Sequence, residues 1–180
     1  VDDIYLNPDL EPADWVPSLK LLSLDIETDP EMNRLLSVAL WSRDEAEVLL
    51  LGSNGGSGEG GVLVRECASE ADLLRLVRQR IREIDPDVLT GWNVIDFDLA
   101  VLERFYLRER IPFTLGRADL PCRLRIDRSA WGASRAIVPG RVVLDGISLA
   151  RDAFIRLEDF RLETAAQAIL GEGKVLQTEH

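Results

Sequence analysis

The chain is poor in the residues that most often carry crosslinks or catalysis. Its 180 residues hold one histidine (His180), one methionine (Met32) and two cysteines (Cys67 and Cys122). The cysteines lie far apart with no CxxC around either, which argues against a disulfide framework and against a zinc site. We read both as reduced thiols of a cytosolic, cytoplasmic protein. Long apolar runs are missing too. Stretches such as Val48–Leu51 fall far short of the roughly 18 residues that cross a bilayer, and no basic-then-apolar leader is present. Positive charge is scarce: 21 Lys+Arg stand against 32 Asp+Glu, a net −11. That balance argues against a free-standing module that grips duplex DNA, which needs cationic side chains to displace phosphate counterions. What remains is an ordinary globular composition, 46% hydrophobic and 29% charged, at the length of one domain. Val1 and the lone Met32 read as an excised or processed piece of a longer chain.

The charge is uneven. Residues 1–33 carry nine acids and one base, Lys20, whereas Arg104 to Arg141 holds nine arginines and three acids. The later stretch is a candidate phosphate-facing surface, although solvated arginines on exposed faces explain it more simply. Residues 1–18, with Pro8, Pro12 and Pro17, read as an extended acidic lead-in, and 19–180 as the folded domain.

Lys20–Ile26, Arg34–Trp41 and Glu47–Leu51 read as three strands of an antiparallel meander. Gly52–Gly61 reads as a surface loop, since no Lys-Ser/Thr follows it to make a phosphate cradle. Val62–Glu66 reads as a short edge strand. Ser69 caps a helix running to about Glu83, with Leu73, Val77, Ile81 and Ile84 as its buried stripe. Asp87–Trp92 is a further strand, and Asp96 to about Arg108 a helix with Leu99, Leu102 and Tyr106 on one face. Pro112–Ser134 is irregular and Arg-rich, with room for a hairpin. Arg141–Asp145 is a strand, and Ile147–Phe154 and Phe160–Leu170 are helices. A meander followed by alternating strands and helices implies an α/β fold, a mixed sheet flanked by helices.

Asp25 and Glu27 flank Ile26, so alternation sends both carboxylates to one face at a strand end. Two acids side by side repel each other, and a hard divalent ion relieves the repulsion. In Thr90–Asp98 a strand gives way to a helix. There Asn93 is placed to fix the turn through its amide, Phe97 to be buried, and Asp98 to sit in the first helical turn. Asp25, Glu27 and Asp98 would converge at one end of a sheet. Acids without His or Cys favour Mg²⁺ or Mn²⁺, and two such ions are suited to attack on a phosphodiester. Solvent-facing acids, and an acid favoured by a helix N-terminus, account for each motif taken alone.

These residues resemble a known family. LKLLSLDIET (Leu19–Thr28) is similar to the first exonuclease motif of family B DNA polymerases, and DPDVLTGWNVIDFD (Asp85–Asp98) to their second. Gly140–Ile147 and Phe160–Lys174 resemble the following segment in the polymerase II branch. The resemblance implies an RNase H-like 3′→5′ proofreading exonuclease domain that removes nucleotides from a single-stranded 3′ end of DNA. It implies two Mg²⁺ or Mn²⁺ ions held by Asp25, Glu27 and Asp98. It places Thr28, Asn93 and Phe97 near the terminal nucleotide, makes Asp145 a structural acid, and makes polymerase domains of the same parent chain the partners. The family's third motif, Tyr-x3-Asp, is not met before His180. Tyr5–Asp9 has that spacing but lies upstream of the first motif, so the isolated chain is expected to be weak or inactive. A stand-alone nuclease of the same superfamily acting on RNA or DNA, and a non-catalytic nucleic-acid-binding scaffold, remain as alternatives.

Overall fold

In a computed structural model, which describes residues 6–52, 61–129 and 133–171, the first apolar run becomes strand β1, Leu21–Thr28. Leu22, Leu24 and Ile26 are buried on one face while Asp25 and Glu27 are exposed on the other, the period-two pattern of a half-buried strand. β2 (Leu35–Trp41) and β3 (Ala46–Leu51) follow antiparallel, as the meander requires. β4 (Leu63–Cys67) closes that side of the sheet as an edge strand, parallel to β3.

Helix α1 spans Glu70–Ile84. The Ser69 hydroxyl accepts from the Asp72 amide at 3.2 Å, satisfying one of the free N–H groups of the first turn. Leu73, Val77, Ile81 and Ile84 are buried as expected, together with Leu74. The helix stops at Asp85, whose left-handed φ of 49° turns the chain before Pro86. β5 (Val88–Gly91) then pairs parallel to β1.

The helix expected from Asp96 onward is two elements. A single π-helical turn, Ile95–Leu99, precedes α2, Ala100–Arg108. The Leu99 amide donates five residues back to the Val94 carbonyl at 2.8 Å, so the turn is one residue wider than an α-helical one, a distortion that recurs at functional sites. α2 still buries the expected face with Leu102 and Tyr106, and the Tyr106 hydroxyl donates to the Leu74 carbonyl at 2.6 Å.

The hairpin anticipated within Pro112–Ser134 lies partly beyond that stretch: β6 (Arg123–Arg125) falls inside it, but its partner β7 (Arg135–Ile137) follows it. β8 (Val142–Asp145) pairs parallel to β5. α3 covers Gly146–Asp152 and is shorter than expected, because Phe154 takes a positive φ of 55°. α4 runs Leu162–Leu170, two residues later than expected, and ends at Gly171.

The main sheet has the order β4-β3-β2-β1-β5-β8, flanked by helices: an α/β, RNase H-like architecture. Leu22, Leu24, Leu40 and Leu49 pack with the apolar faces of α1 and α2 in one core. Because β1, β5 and β8 are parallel, their carboxyl ends meet at one edge, where open α/β sheets bind ligands. No described helix is long and apolar enough to cross a membrane. Most of the glycine loop, Tyr5, His180 and the residues after Gly171 lie outside the described residues.

Candidate active site

Two glycines let the strand ends close up at this edge. A Cβ on Gly91, at the end of β5, would lie 2.5 Å from the Leu24 carbonyl oxygen of β1. A Cβ on Gly146 would lie 2.8 Å from the Trp92 ring. Between them the chain reverses at Asn93, whose φ of 62° is left-handed, a region that asparagine tolerates better than most residues. The Asn93 carbonyl accepts from the Phe97 amide at 3.0 Å. The expected role for the Asn93 amide is thus corrected: backbone conformation makes the turn, and the side chain has no hydrogen bond among the described residues.

The π-helical turn fixes which side chains point inward. Asp98 is 1% exposed, and its Oδ1 accepts from the Ile26 amide at 3.0 Å. The second motif's acid is therefore bonded to the residue lying between the first motif's two acids. Phe97 is exposed rather than buried, contrary to expectation. The wide turn directs Asp98 and Leu99 into the protein, and Phe97 takes the outward position between them and Asp96.

Asp145 ties the same turn to β8. Its Oδ2 accepts from the Ile95 amide at 3.1 Å, and its Oδ1 from the Ile147 and Ser148 amides at 2.9 and 3.3 Å. One carboxylate thus caps α3 and anchors the turn that carries Asp98. Thr28 lies just past a register shift between β1 and β2, and its hydroxyl donates to the Asp29 carbonyl at 3.0 Å.

The electrostatics follow from these positions. Burial first, and the nearby Asp25 carboxylate second, push the Asp98 carboxyl up to about 7, against the stabilising Ile26 amide. The Asp25 carboxyl is also raised, by desolvation and then by Glu27. No base is among the causes of either shift, so the edge concentrates negative charge.

Asp25, Glu27 and Asp98 share this edge, but among the described residues no three His, Cys, Asp or Glu side chains are gathered closely enough to hold an ion by themselves. The expected convergence is thus looser than a finished cage, since Asp25 and Glu27 project from an exposed strand end where no described residue donates to their side chains. An all-oxygen donor set still fits a hard cation, because Mg²⁺ keeps several waters and takes only one or two carboxylates plus substrate phosphate. Sequence reasoning missed the close approach at Gly91 and Gly146 and the anchoring reach of Asp145. The Thr-Gly-Trp-Asn and Asp-Gly pairs at the strand ends were the available signals.

The chain matches the family described as DNA polymerase family B, exonuclease domain, over residues 4–164. It is 36% identical over 171 residues to DNA polymerase II of Escherichia coli K12, covering 94% of this chain and 22% of that protein. It is 29% identical over 190 residues to the DNA polymerase catalytic subunit of Epstein-Barr virus strain B95-8, covering 91% of this chain and 18% of the relative. A DNA polymerase of Thermococcus aggregans is 27% identical over 176 residues, covering 94% of this chain and 9% of that protein. The chain therefore spans about a fifth or less of the length of these relatives. An acid-lined edge on an RNase H-like sheet, and a match across most of the chain, lead to one conclusion: the chain belongs to the exonuclease-domain family of family B DNA polymerases.

Proposed function

We propose that the acid-lined edge hydrolyses the terminal phosphodiester of single-stranded DNA in the 3′→5′ direction, with Asp25, Glu27 and Asp98 as the ligands of two Mg²⁺ or Mn²⁺ ions. The observation that carries this reading is the hydrogen bond from the Ile26 amide to Asp98 Oδ1, which draws the acid of one motif to the acids of the other across 72 residues.

Bound there, the ions would activate water and offset charge on the phosphoryl oxygens. The chain's own groups do the rest. Asp98 is held in one place by the Ile26 amide, so its carboxylate needs little reorganisation to bind a cation. Asp145 holds the turn rigid from below. Phe97 offers an exposed ring for the terminal base to stack on. Thr28 and Asn93 orient the sugar and phosphate of that nucleotide.

The polypeptide that carries this domain synthesises DNA with its other domains, and the domain trims mispaired 3′ ends for it. We place it in the cytoplasm, where the free thiols Cys67 and Cys122 stay reduced. The test is shortening of a 5′-labelled single strand by the natural polypeptide containing these residues. Stepwise loss from the 3′ end in Mg²⁺ is expected, with the rate falling by more than about a hundredfold in Asp25→Ala. An unchanged rate in that variant would refute the assignment.

A further inference from the structure

We infer that Asp145 is a positioning residue of the acid-lined edge: from β8 it holds the π-helical turn so that Asp98 stays seated on the Ile26 amide. The inference deepens the reading of that edge as a cation site, and only its metal arm rests on that reading.

The turn needs an outside partner. The first N–H groups of a helical segment have no acceptor within it, and a capping side chain just before it usually serves them. Here that position is Val94, whose side chain makes no capping bond. The acceptor comes instead from 50 residues away, where Asp145 Oδ2 takes the Ile95 amide at 3.1 Å. The upstream flank is braced by the same part of the chain. Trp92 Nε1 donates to the Phe160 carbonyl at 2.8 Å, and its ring packs where Gly146 carries no Cβ.

The residue type supplies the second argument. Capping α3 needs one oxygen, and Ser, Thr or Asn supplies it without charge. Asp145 uses two: Oδ1 serves the Ile147 and Ser148 amides, and Oδ2 serves Ile95. An amide side chain cannot do both, because its NH₂ only donates. The carboxylate also has a cost. Burial and then Asp25 are the larger causes of the raised Asp98 carboxyl, and the charge of Asp145 adds to them. A neutral cap would avoid that repulsion, so what distinguishes aspartate here is the second oxygen, bonded to the turn.

The consequence falls on Asp98. β1 and β5 pair as far as Ser23 with Thr90, and beyond that pair the Ile26 amide donates to Asp98 Oδ1. Ile95 and Asp98 lie within the one π-helical turn. A turn released at Ile95 therefore lets Asp98 leave the Ile26 amide and the neighbourhood of Asp25 and Glu27.

The test is made on the chain by NMR, with two readouts. Without metal, hydrogen exchange at the Ile26 amide reports whether Asp98 is seated. With Mn²⁺, the midpoint of broadening at Ile26 reports cation affinity. Asp145→Ser keeps one oxygen for α3 and has none left for Ile95. It is expected to speed Ile26 exchange roughly tenfold and to raise the Mn²⁺ midpoint roughly tenfold, while the Leu73 and Val77 amides of α1 keep their protection. Asp145→Ala should do the same and also loosen the first turn of α3. Tyr106→Phe, which loses a buried hydrogen bond to the Leu74 carbonyl, should leave both readouts as in the parent. Parental Ile26 exchange in Asp145→Ser would overturn the inference, as would an equal change in Tyr106→Phe. Mn²⁺ that fails to broaden Ile26 in the parent chain would count against the edge as a cation site, whereas the metal-free exchange judges Asp145 separately.

Discussion

The two ends of the parallel strands use the same residue type in opposite ways. Where β1, β5 and β8 begin, Asp85 and Asp87 are surrounded by bases. Arg117 donates to both carboxylates, and Arg141 donates to Asp85 at 2.8 Å. The hydrogen bond from Arg117 is the largest influence holding the Asp85 carboxyl below the ordinary range, and for Asp87 the Lys20 amide is the largest. Where the same strands end, Asp25, Glu27 and Asp98 share one edge, and no described base contributes to the Asp25 or Asp98 shift. Burial then raises Asp98 instead of pairing it. Paired acids hold the strand beginnings together, whereas the acids at the strand ends are the ones proposed above to take a cation.

The largest change in stability is expected at the paired end. The Arg141 side chain is 1% exposed and also donates to the carbonyls of Leu115, Pro86 and Ile81. Arg141→Ala strips all of these at once and should cost about 3–5 kcal/mol in urea unfolding. A loss below about 1 kcal/mol would break the contrast, because the strand beginnings would then not depend on their pairing.

At the unpaired end the sign reverses with pH. The Asp98 carboxyl is raised to about 7 in the folded protein, above its unfolded value of 3.8. The folded state therefore binds the extra proton between those values, and stability falls as pH rises through that window. Asp98→Asn keeps an acceptor for the Ile26 amide and removes the charge. It should be more stable than the parent by roughly 3 kcal/mol at pH 8 in EDTA, and nearly equal to it at pH 4. Thermal unfolding at the two pH values reads this directly, and a pH-independent difference would contradict it.

Phe97 sharpens the comparison with the smallest effect. It is 36% exposed, so Phe97→Ala should leave the unfolding midpoint almost unchanged. In the natural polypeptide it should raise KM for the single strand roughly tenfold, the worth of one stacked base. A large loss of stability with unaltered KM would make the ring a packing residue instead.

How much of this was legible in the sequence depends on the range of the interactions. Alternation about Ile26, in a strand expected over Lys20–Ile26, put Asp25 and Glu27 on one face, and β1 exposes that face. The spacing of Leu73, Val77, Ile81 and Ile84 gave the buried stripe of α1, and Ser69 its cap. These depend on neighbours a few residues apart. The inward position of Asp98 and the outward one of Phe97 depend on a backbone amide 72 residues away, and on a π-helical turn that no periodicity marks. The family resemblance singled out both residues, but it could not say which way either faces. Asp145 was visible as a strand-end acid, whereas its bond to Ile95 is a contact between β8 and the turn after β5. Room for a hairpin was legible in Pro112–Ser134, but not that its second strand follows at Arg135–Ile137, nor its register.

The most direct test of the contrast between the two ends is Mn²⁺ titrated into the chain while amide resonances are followed residue by residue. Paramagnetic broadening should begin around Asp25, Ile26 and Asp98 and spare the surroundings of Asp85 and Asp87, and it should require more Mn²⁺ in Asp98→Asn. Broadening that starts at Asp85 and Asp87, or that is unaffected by Asp98→Asn, would contradict the assignment of the unpaired acids as the cation site.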